Sequence, residues 1–500
     1  MQRRAFLQFI SAAASVGAVF PSIGLAAKVD ALTQLAQRFN AARKIHPILA
    51  GWESIKPPGT DYLSAELQGR WPKALQGTLY RNGPGLFDRG GQRYQHWFDG
   101  DGLIQAWRIG EHGIRHHSKF VETSKHRLEN SSDRFEVMAA GTTIANARAI
   151  SGPDDANTAN ISVMHLGGKT YALWEAGSAF EINSETLETV GAKIWRDDLE
   201  GVAFSAHPVY EPDGSIWNVG LFEKQMIVYH VGSDGNLIQA QLVPLPHSGY
   251  MHSFTASETQ LVFVLAPMVR VREAGSYFEG LGWRPEQGSL MVVLPKSDLT
   301  KPRFVNFESG AAYHYADAWD EPDGGLALRA CWYRTGAAFA SPLQNYMQGD
   351  PGSPGTQAPD LVEIRVAKNA KRAVLQATPH KSIEFPIQTR LMRQSSLLML
   401  QASASAKHGM LSSLLYTNAH GKRLAHFDFG DDYALEEQLF IRADGKNYTL
   451  GTIFNVKTAR TGIVLFDLKK IGDGPIAQAW LDRAMPLGFH GTFVGLQPFV

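Results

Sequence analysis

Cysteine is almost missing from this chain of 500 residues: Cys331 stands alone, so no intrachain disulfide can form and thiolate zinc sites are excluded. The fold must rest on packing. Net charge is missing too, with 48 Lys+Arg against 48 Asp+Glu, and no dense basic run occurs. A nucleic-acid partner is therefore not expected, because binding a polyphosphate needs a basic surface. No His-Glu-x-x-His pair marks a zinc protease, and no Gly-x-Ser-x-Gly elbow marks a serine hydrolase. Beyond the first residues, no apolar run is long enough to span a bilayer.

The chain opens Met1-Gln2-Arg3-Arg4-Ala5-Phe6-Leu7, continues apolar to about Phe20, and reaches small residues at Gly24-Leu25-Ala26-Ala27. This is the pattern of a signal peptide with adjacent arginines of the twin-arginine type, over residues 1–27. Export to the periplasm, already folded and metal-loaded, is the expectation. An uncleaved anchor is disfavoured by Pro21, which breaks the short apolar run.

From Val29 to about Lys44, Leu32, Leu35, Ala36, Phe39 and Ala42 recur at helical spacing, predicting a surface helix within a lead-in over residues 28–60. From residue 61 to 500 the pattern is strands in one domain. Runs rich in β-branched and aromatic residues cover Ser215–Phe222, Gln225–Val231, Gln260–Pro267, Leu290–Leu294, Leu326–Tyr333, Leu361–Val366, Leu411–Thr417, Glu437–Arg442, Tyr448–Val456 and Gly462–Leu468. Asp-Gly pairs at 213, 234, 323, 444 and 473 supply hairpin turns. A sandwich is too small for so many strands, whereas four-stranded blades would fill the chain; the pattern alone gives a large all-β fold of propeller type. Met347 to Asp360, rich in Gly and Pro, reads as an extended surface loop.

Among the 17 histidines, four sit in unusual contexts: Ala206-His207-Pro208, Tyr250-Met251-His252-Ser253-Phe254, Tyr313-His314-Tyr315-Ala316-Asp317 and Gly488-Phe489-His490-Gly491. His207 and His314 each lead into a Glu-Pro-Asp-Gly turn, which implies similar places at the head of a hairpin. Inner strands of a propeller converge on its axis, where imidazoles suit iron, copper, nickel or zinc. Taken singly, each histidine reads more readily as a hydrogen-bonded core residue.

Ordered motifs then show a resemblance. Leu75-x-Gly77-x-x-x-Arg81-Asn82-Gly83-Pro84, His96-Trp97-Phe98-Asp99-Gly100-Asp101-Gly102, Asn157-Thr158-Ala159-Asn160, Ala172-Leu173-Trp174-Glu175 and the four histidine motifs resemble the carotenoid cleavage oxygenase family, from about residue 65 to the C-terminus. That family includes stilbene-cleaving dioxygenases and retinoid isomerases. The resemblance implies a seven-bladed β-propeller under a small helical and loop dome, with Fe(2+) held by His207, His252, His314 and His490. It further implies that Glu175, Glu384 and Glu437 each accept the second N–H of a ligand, while His207 has no such partner. A carboxylate in that place fixes the imidazole tautomer and raises its basicity. Glu436 beside Glu437 leaves a one-residue ambiguity, because a shift of one reverses the faces of a strand. His96, despite its rich motif, reads as structural, with Asp99 and Asp101 as turn formers.

The implied reaction cleaves a C=C bond of a carotenoid or apocarotenoid with O2 to two carbonyl products. A hydroxylated stilbene is the alternative alkene; Tyr94 and Lys125 are the polar candidates for its phenol, and both also read as surface residues. A propeller that binds without turnover is the alternative of another class. The family's apolar membrane-facing patch corresponds to Met268–Trp283, where Arg270, Arg272, Glu273 and Glu279 interrupt the apolar face. The chain departs from the family pattern at Ser253, Asp317 and Asp320, where aspartate, asparagine and glutamate are usual.

Overall fold

The computed structural model describes residues 25–272, 275–337, 342–351, 358–403 and 408–496. Most of the expected signal peptide, residues 1–24, lies outside them, as do residues 352–357 of the Gly/Pro-rich segment.

Seven antiparallel sheets of four or five strands form a ring, so the molecule is a seven-bladed β-propeller. Blade two runs Ser162–Leu166, Lys169–Leu173, Phe180–Ile182 and Thr189–Ala192 from the axis outward, and blades three to six repeat that order. Their innermost strands are Val209–Tyr210, Phe254–Ala256, Ala311–Asp320 and Ile383–Gln388. Blade seven begins at the axis with Tyr433–Ala443 and ends outside with Glu66–Gly69 from the start of the chain. Blade one is closed on the axis by His490–Gly495, which pairs with Gly77–Leu86 so that His490 stands opposite Asn82. The ring is thus sealed twice, and the seam leaves no open edge between first and last blades.

Middle strands are buried on both faces because neighbouring blades stack on them. Leu326–Tyr333 is buried at every position. Its one charge, Arg329, is tolerated because it is paired at 2.8 Å with Asp317 on the adjacent strand. The turns follow their residue chemistry: Gly214, Gly235, Gly324 and Gly445 all take positive φ, between 66° and 83°. The two Glu-Pro-Asp-Gly turns are closed alike, with Gly214 N–H donating to the Glu211 carbonyl and Gly324 N–H to that of Glu321. Asp473–Gly474 differs from expectation, since it ends the 3-10 helix Leu468–Asp473.

The helix Leu25–Arg43 packs against Gln92–Arg93, Pro47–Trp52 and Tyr346–Gln348. Its stripe of Leu32, Leu35, Ala36 and Phe39 is buried, and the Arg93 guanidinium lies 3.4 Å over the Phe39 ring. The dome is completed by Pro47–Trp52, Trp97–Asp99 and Ser124–Ser132. Here the surface-loop reading of Met347 to Asp360 is corrected at its start, residues 352–357 lying outside the described residues. Met347 is fully buried in the 3-10 turn Tyr346–Gln348, its carbonyl accepts from Arg93 Nε at 3.2 Å, and Tyr346 stacks on Trp52 at 4.2 Å.

Candidate metal centre

Four blades each bring one histidine to the axis. His207 precedes the inner strand of blade three, His252 that of blade four, His314 lies within that of blade five, and His490 begins the closing strand of blade one. One ring nitrogen from each lies within 4.8 Å of the other three, a group able to hold a metal ion.

β-Bulges aim the side chains. Ala312 pairs with Trp332 and Tyr315 with Ala330, so Tyr313 and His314 together oppose a single residue. Phe385 and Pro386 do the same beside Glu384, and Glu436 and Glu437 do so between Leu435 and Gln438. An extra residue bends the strand and breaks strict alternation. The one-residue ambiguity at Glu436 and Glu437 is answered this way, since both carboxylates work at the axis. Glu437 accepts from His490 Nδ1 at 2.8 Å, while Glu436 accepts the Gly488 N–H and holds the approach to His490.

The remaining glutamates follow the same plan. His314 Nδ1 donates to Glu384 at 2.6 Å, and His252 Nδ1 to Glu175 at 3.2 Å. His207 receives no such partner from the described residues. An ionised carboxylate only accepts, so these three rings carry hydrogen on Nδ1 and a bare lone pair on Nε2. The Nε2 atoms face inward, with His207 and His252 2.9 Å apart and His314 and His490 3.2 Å apart. Between His314 and His490 the facing lone pairs repel unless a proton or a metal ion lies between them, and the set of four imidazoles fits a divalent metal. Burial, then the neighbouring imidazoles, holds His207 and His490 well below the ordinary histidine range, so both stay neutral and able to coordinate.

Each glutamate is held in turn by a residue the sequence did not single out for that role. Tyr250 Oη donates to Glu175 at 3.1 Å, Tyr333 Oη to Glu384 at 2.8 Å, and Arg81 to Glu437 at 3.0 Å. Arg81 also donates to the Phe489 carbonyl, fixing the residue before His490. Arg81 and Tyr250 stood inside quoted motifs; Tyr333 is one strand residue among many and carries no sequence signal.

The centre has two unlike faces. Residues after the histidines, including Pro208, Ser253, Phe254, Tyr315 and Thr492, line an axial cavity of about 250 Å³. Residues before them meet the dome, where Phe98 stacks over His252 with ring centroids 6.2 Å apart and Tyr313 stands edge-on to it at 4.9 Å. Phe278 lies 6.1 Å from Phe98 and 6.2 Å from Tyr250.

Other expected residues lie elsewhere. Tyr94 and Lys125 line neither face and are not surface residues: they are 0% and 1% exposed. Lys125 Nζ donates to Asp101 at 2.8 Å and to Glu129 at 2.9 Å, and Tyr94 Oη donates to Glu129 at 3.0 Å. Asp101 is thus the centre of a buried ion cluster, not a turn former, and Asp99 accepts from Gly141 N and Thr142 Oγ1 of the dome. His96 caps the short helix Trp97–Asp99 by accepting from Phe98 N at 3.2 Å, in its structural role. The departures from the family pattern also go to packing: Ser253 donates to the Tyr313 carbonyl, Asp317 pairs with Arg329, and Asp320 accepts from Ser257, Thr259 and Gln260. In the Met268–Trp283 hairpin, Met268, Phe278, Leu281 and Trp283 turn inward against Tyr250, Ala266, Ala311 and Tyr333, while Val271 and Tyr277 are exposed.

Comparison with known proteins agrees with this architecture. The family model described as retinal pigment epithelial membrane protein matches residues 53–495. The apocarotenoid-15,15'-oxygenase of Synechocystis is 25% identical over 89% of this chain and 95% of its own length. An isoeugenol monooxygenase of Pseudomonas nitroreducens is 22% identical over 87% of this chain and 95% of its own. A solved structure of cobalt-substituted Synechocystis apocarotenoid oxygenase superposes with TM-score 0.79 at 20% identity, covering 92% of this chain and 99% of that one. With a match spanning most of its length, the chain belongs to the retinal pigment epithelial membrane protein family, that of the carotenoid cleavage oxygenases.

Proposed function

We propose that the protein is an Fe(II)-dependent dioxygenase that cleaves one C=C bond of a carotenoid or apocarotenoid into two carbonyl products. The observation that carries this reading is the convergence of ring nitrogens from His207, His252, His314 and His490, three of the rings backed by Glu175, Glu384 and Glu437. Iron, when bound by these four neutral rings, would supply the site at which O2 is activated. The rest falls to the protein. The carboxylates keep each Nδ1 protonated and each ring turned toward the axis. Phe98, Tyr313 and Phe278 give the dome side of the centre an aromatic lining, against which a planar alkene bound on that side would lie. No side-chain acid or nucleophile is required, so selectivity rests on which double bond this lining sets beside the metal.

A hydroxylated stilbene-type alkene is the second reading. It is favoured by the same aromatic lining and by the isoeugenol monooxygenase relatives, whose name points to a phenolic alkene. Tyr94 and Lys125 do not support it, since their polar atoms are engaged in the buried cluster.

The test is anaerobic loading with Fe(II), followed by oxygen uptake and product masses on carotenoid, apocarotenoid and stilbene panels. Metal-free protein that stays inactive after loading on every panel would remove the enzyme reading and leave a binding propeller. Export to the periplasm rests on the amino-terminal pattern and peripheral membrane contact on Met268–Trp283; cell fractionation and vesicle sedimentation test them.

A further inference from the structure

The three histidine–carboxylate pairs are not equally secured. Glu437 takes His490 on Oε1, and Arg81 and the Gly491 N–H on Oε2. Glu384 takes His314 and the Phe385 N–H on Oε2, and Tyr333 on Oε1. Each of these carboxylates is therefore gripped at both oxygens by three donors, at least one of them a backbone N–H that cannot swing away. Glu175 is different. It follows the strand Lys169–Leu173 in a loop, and both of its donors, His252 Nδ1 and Tyr250 Oη, converge on Oε2. No backbone N–H among the described residues holds it. Its bond to His252 is the longest of the three, 3.2 Å against 2.6 and 2.8 Å.

We infer that Tyr250 is the positioning residue for the His252 corner of the metal centre, the least secured of the three glutamate-backed corners. The inference rests on the metal reading proposed above. Tyr250 is suited to the role by its anchorage. It is buried, its backbone exchanges hydrogen bonds with Ala266 in both directions, and it stands two residues before His252 on the same segment. Its hydroxyl thus sets where Glu175 sits relative to the ring that Glu175 must hold. Without that hydroxyl, Glu175 keeps one donor and is free to rotate about its side-chain torsions. His252 then loses the partner that fixes its tautomer. Tyr333 is less critical, because Glu384 keeps two donors when the tyrosine hydroxyl is removed.

The experiment compares wild type, Tyr250→Phe and Tyr333→Phe as full chains, measuring Co(II) affinity by competition with a chelator and recording the visible d–d bands of the cobalt forms. The expected result is a loss of roughly 10-fold in affinity for Tyr250→Phe, several-fold more than for Tyr333→Phe, with shifted bands only in the former. A double variant Tyr250→Phe/Glu175→Gln should be little weaker than Glu175→Gln alone, since both act through one contact. A merely structural tyrosine would lower the thermal midpoint of the metal-free protein but leave cobalt affinity and bands unchanged, and that outcome overturns the inference. Equal losses for the two phenylalanine variants overturn it as well. If Tyr250→Phe does not fold, Tyr250→Met, whose flexible side chain refills the space, gives the same readings. Wild type that binds no cobalt refutes the metal reading itself, a result distinct from wild type that binds and a Tyr250→Phe form that binds equally well.

Discussion

His314 Nε2 and His490 Nε2 lie 3.2 Å apart while each ring gives its Nδ1 hydrogen to its own glutamate, so two lone pairs confront one another across the propeller axis. A proton or a metal ion between them makes that arrangement favourable, and four imidazoles so placed suit the metal. Replacing His314 or His490 by alanine should therefore leave a folded ring that no longer retains a stoichiometric metal ion, measured by elemental analysis after desalting. A variant that keeps full occupancy would remove that histidine from the set.

Glu437 and Glu436 are neighbours with separate tasks, and single substitutions should separate them. Glu437→Gln removes the acceptor for His490 Nδ1 and is expected to weaken metal binding by about 10- to 100-fold. Glu436→Gln acts on the Gly488 N–H and Arg81, so its main effect should be on the unfolding midpoint. Equal metal affinities for the two variants would contradict the role given to the bulge.

Burial pushes His96 down to about 3, and its ring accepts a hydrogen bond from Phe98 N. The folded state thus keeps this ring neutral where the unfolded chain protonates it. Its stabilising effect is whole above the ordinary value of 6.5 and declines as pH falls toward 3, by up to about 1.4 kcal/mol per pH unit. Asp99, raised by burial to about 7, acts in the opposite sense over part of this window, so the comparison is a difference between proteins. His96→Asn keeps a capping acceptor and removes the titration. Denaturant unfolding from pH 6.5 to 4 should show a shallower loss of stability on acidification than wild type; parallel profiles would refute the assignment.

Arg329 and Asp317 form a buried pair whose side chains are 3% and 0% exposed. Arg329→Met strands the carboxylate, whose protonation burial already favours. Unfolding free energy should fall by about 3–5 kcal/mol, measured in denaturant, with the double replacement Arg329→Met/Asp317→Leu recovering part of it.

Much of this was legible in the residues. Gln225–Val231, Leu326–Tyr333 and Leu411–Thr417 have the bounds predicted from their β-branched and aromatic content, and the two Glu-Pro-Asp-Gly turns announce that His207 and His314 lead equivalent hairpins. The blade repeat itself was hidden because its connections differ: the Met268–Trp283 hairpin interrupts blade four, and the segment after Tyr333 interrupts blade five. Bulges leave no mark in composition, so the joint inward turn of Glu436 and Glu437 could not be read. Tyr94 and Lys125 were misplaced because a side chain's type does not reveal whether Asp101 and Glu129 meet it in the interior or water meets it outside.

The seam that seals the ring has a kinetic meaning. His490 sits at the head of the strand that completes blade one, so the fourth histidine is in place only when that strand is zipped onto Gly77–Leu86. A bound metal would tie this strand to blades three, four and five, and fraying of the seam would be opposed from the axis. Exchange of the metal would then run on the clock of local opening at the closing strand, and a ring prevented from closing would hold three histidines at best. The rate of metal exchange and the amide hydrogen exchange of residues 490–495 would report the same event.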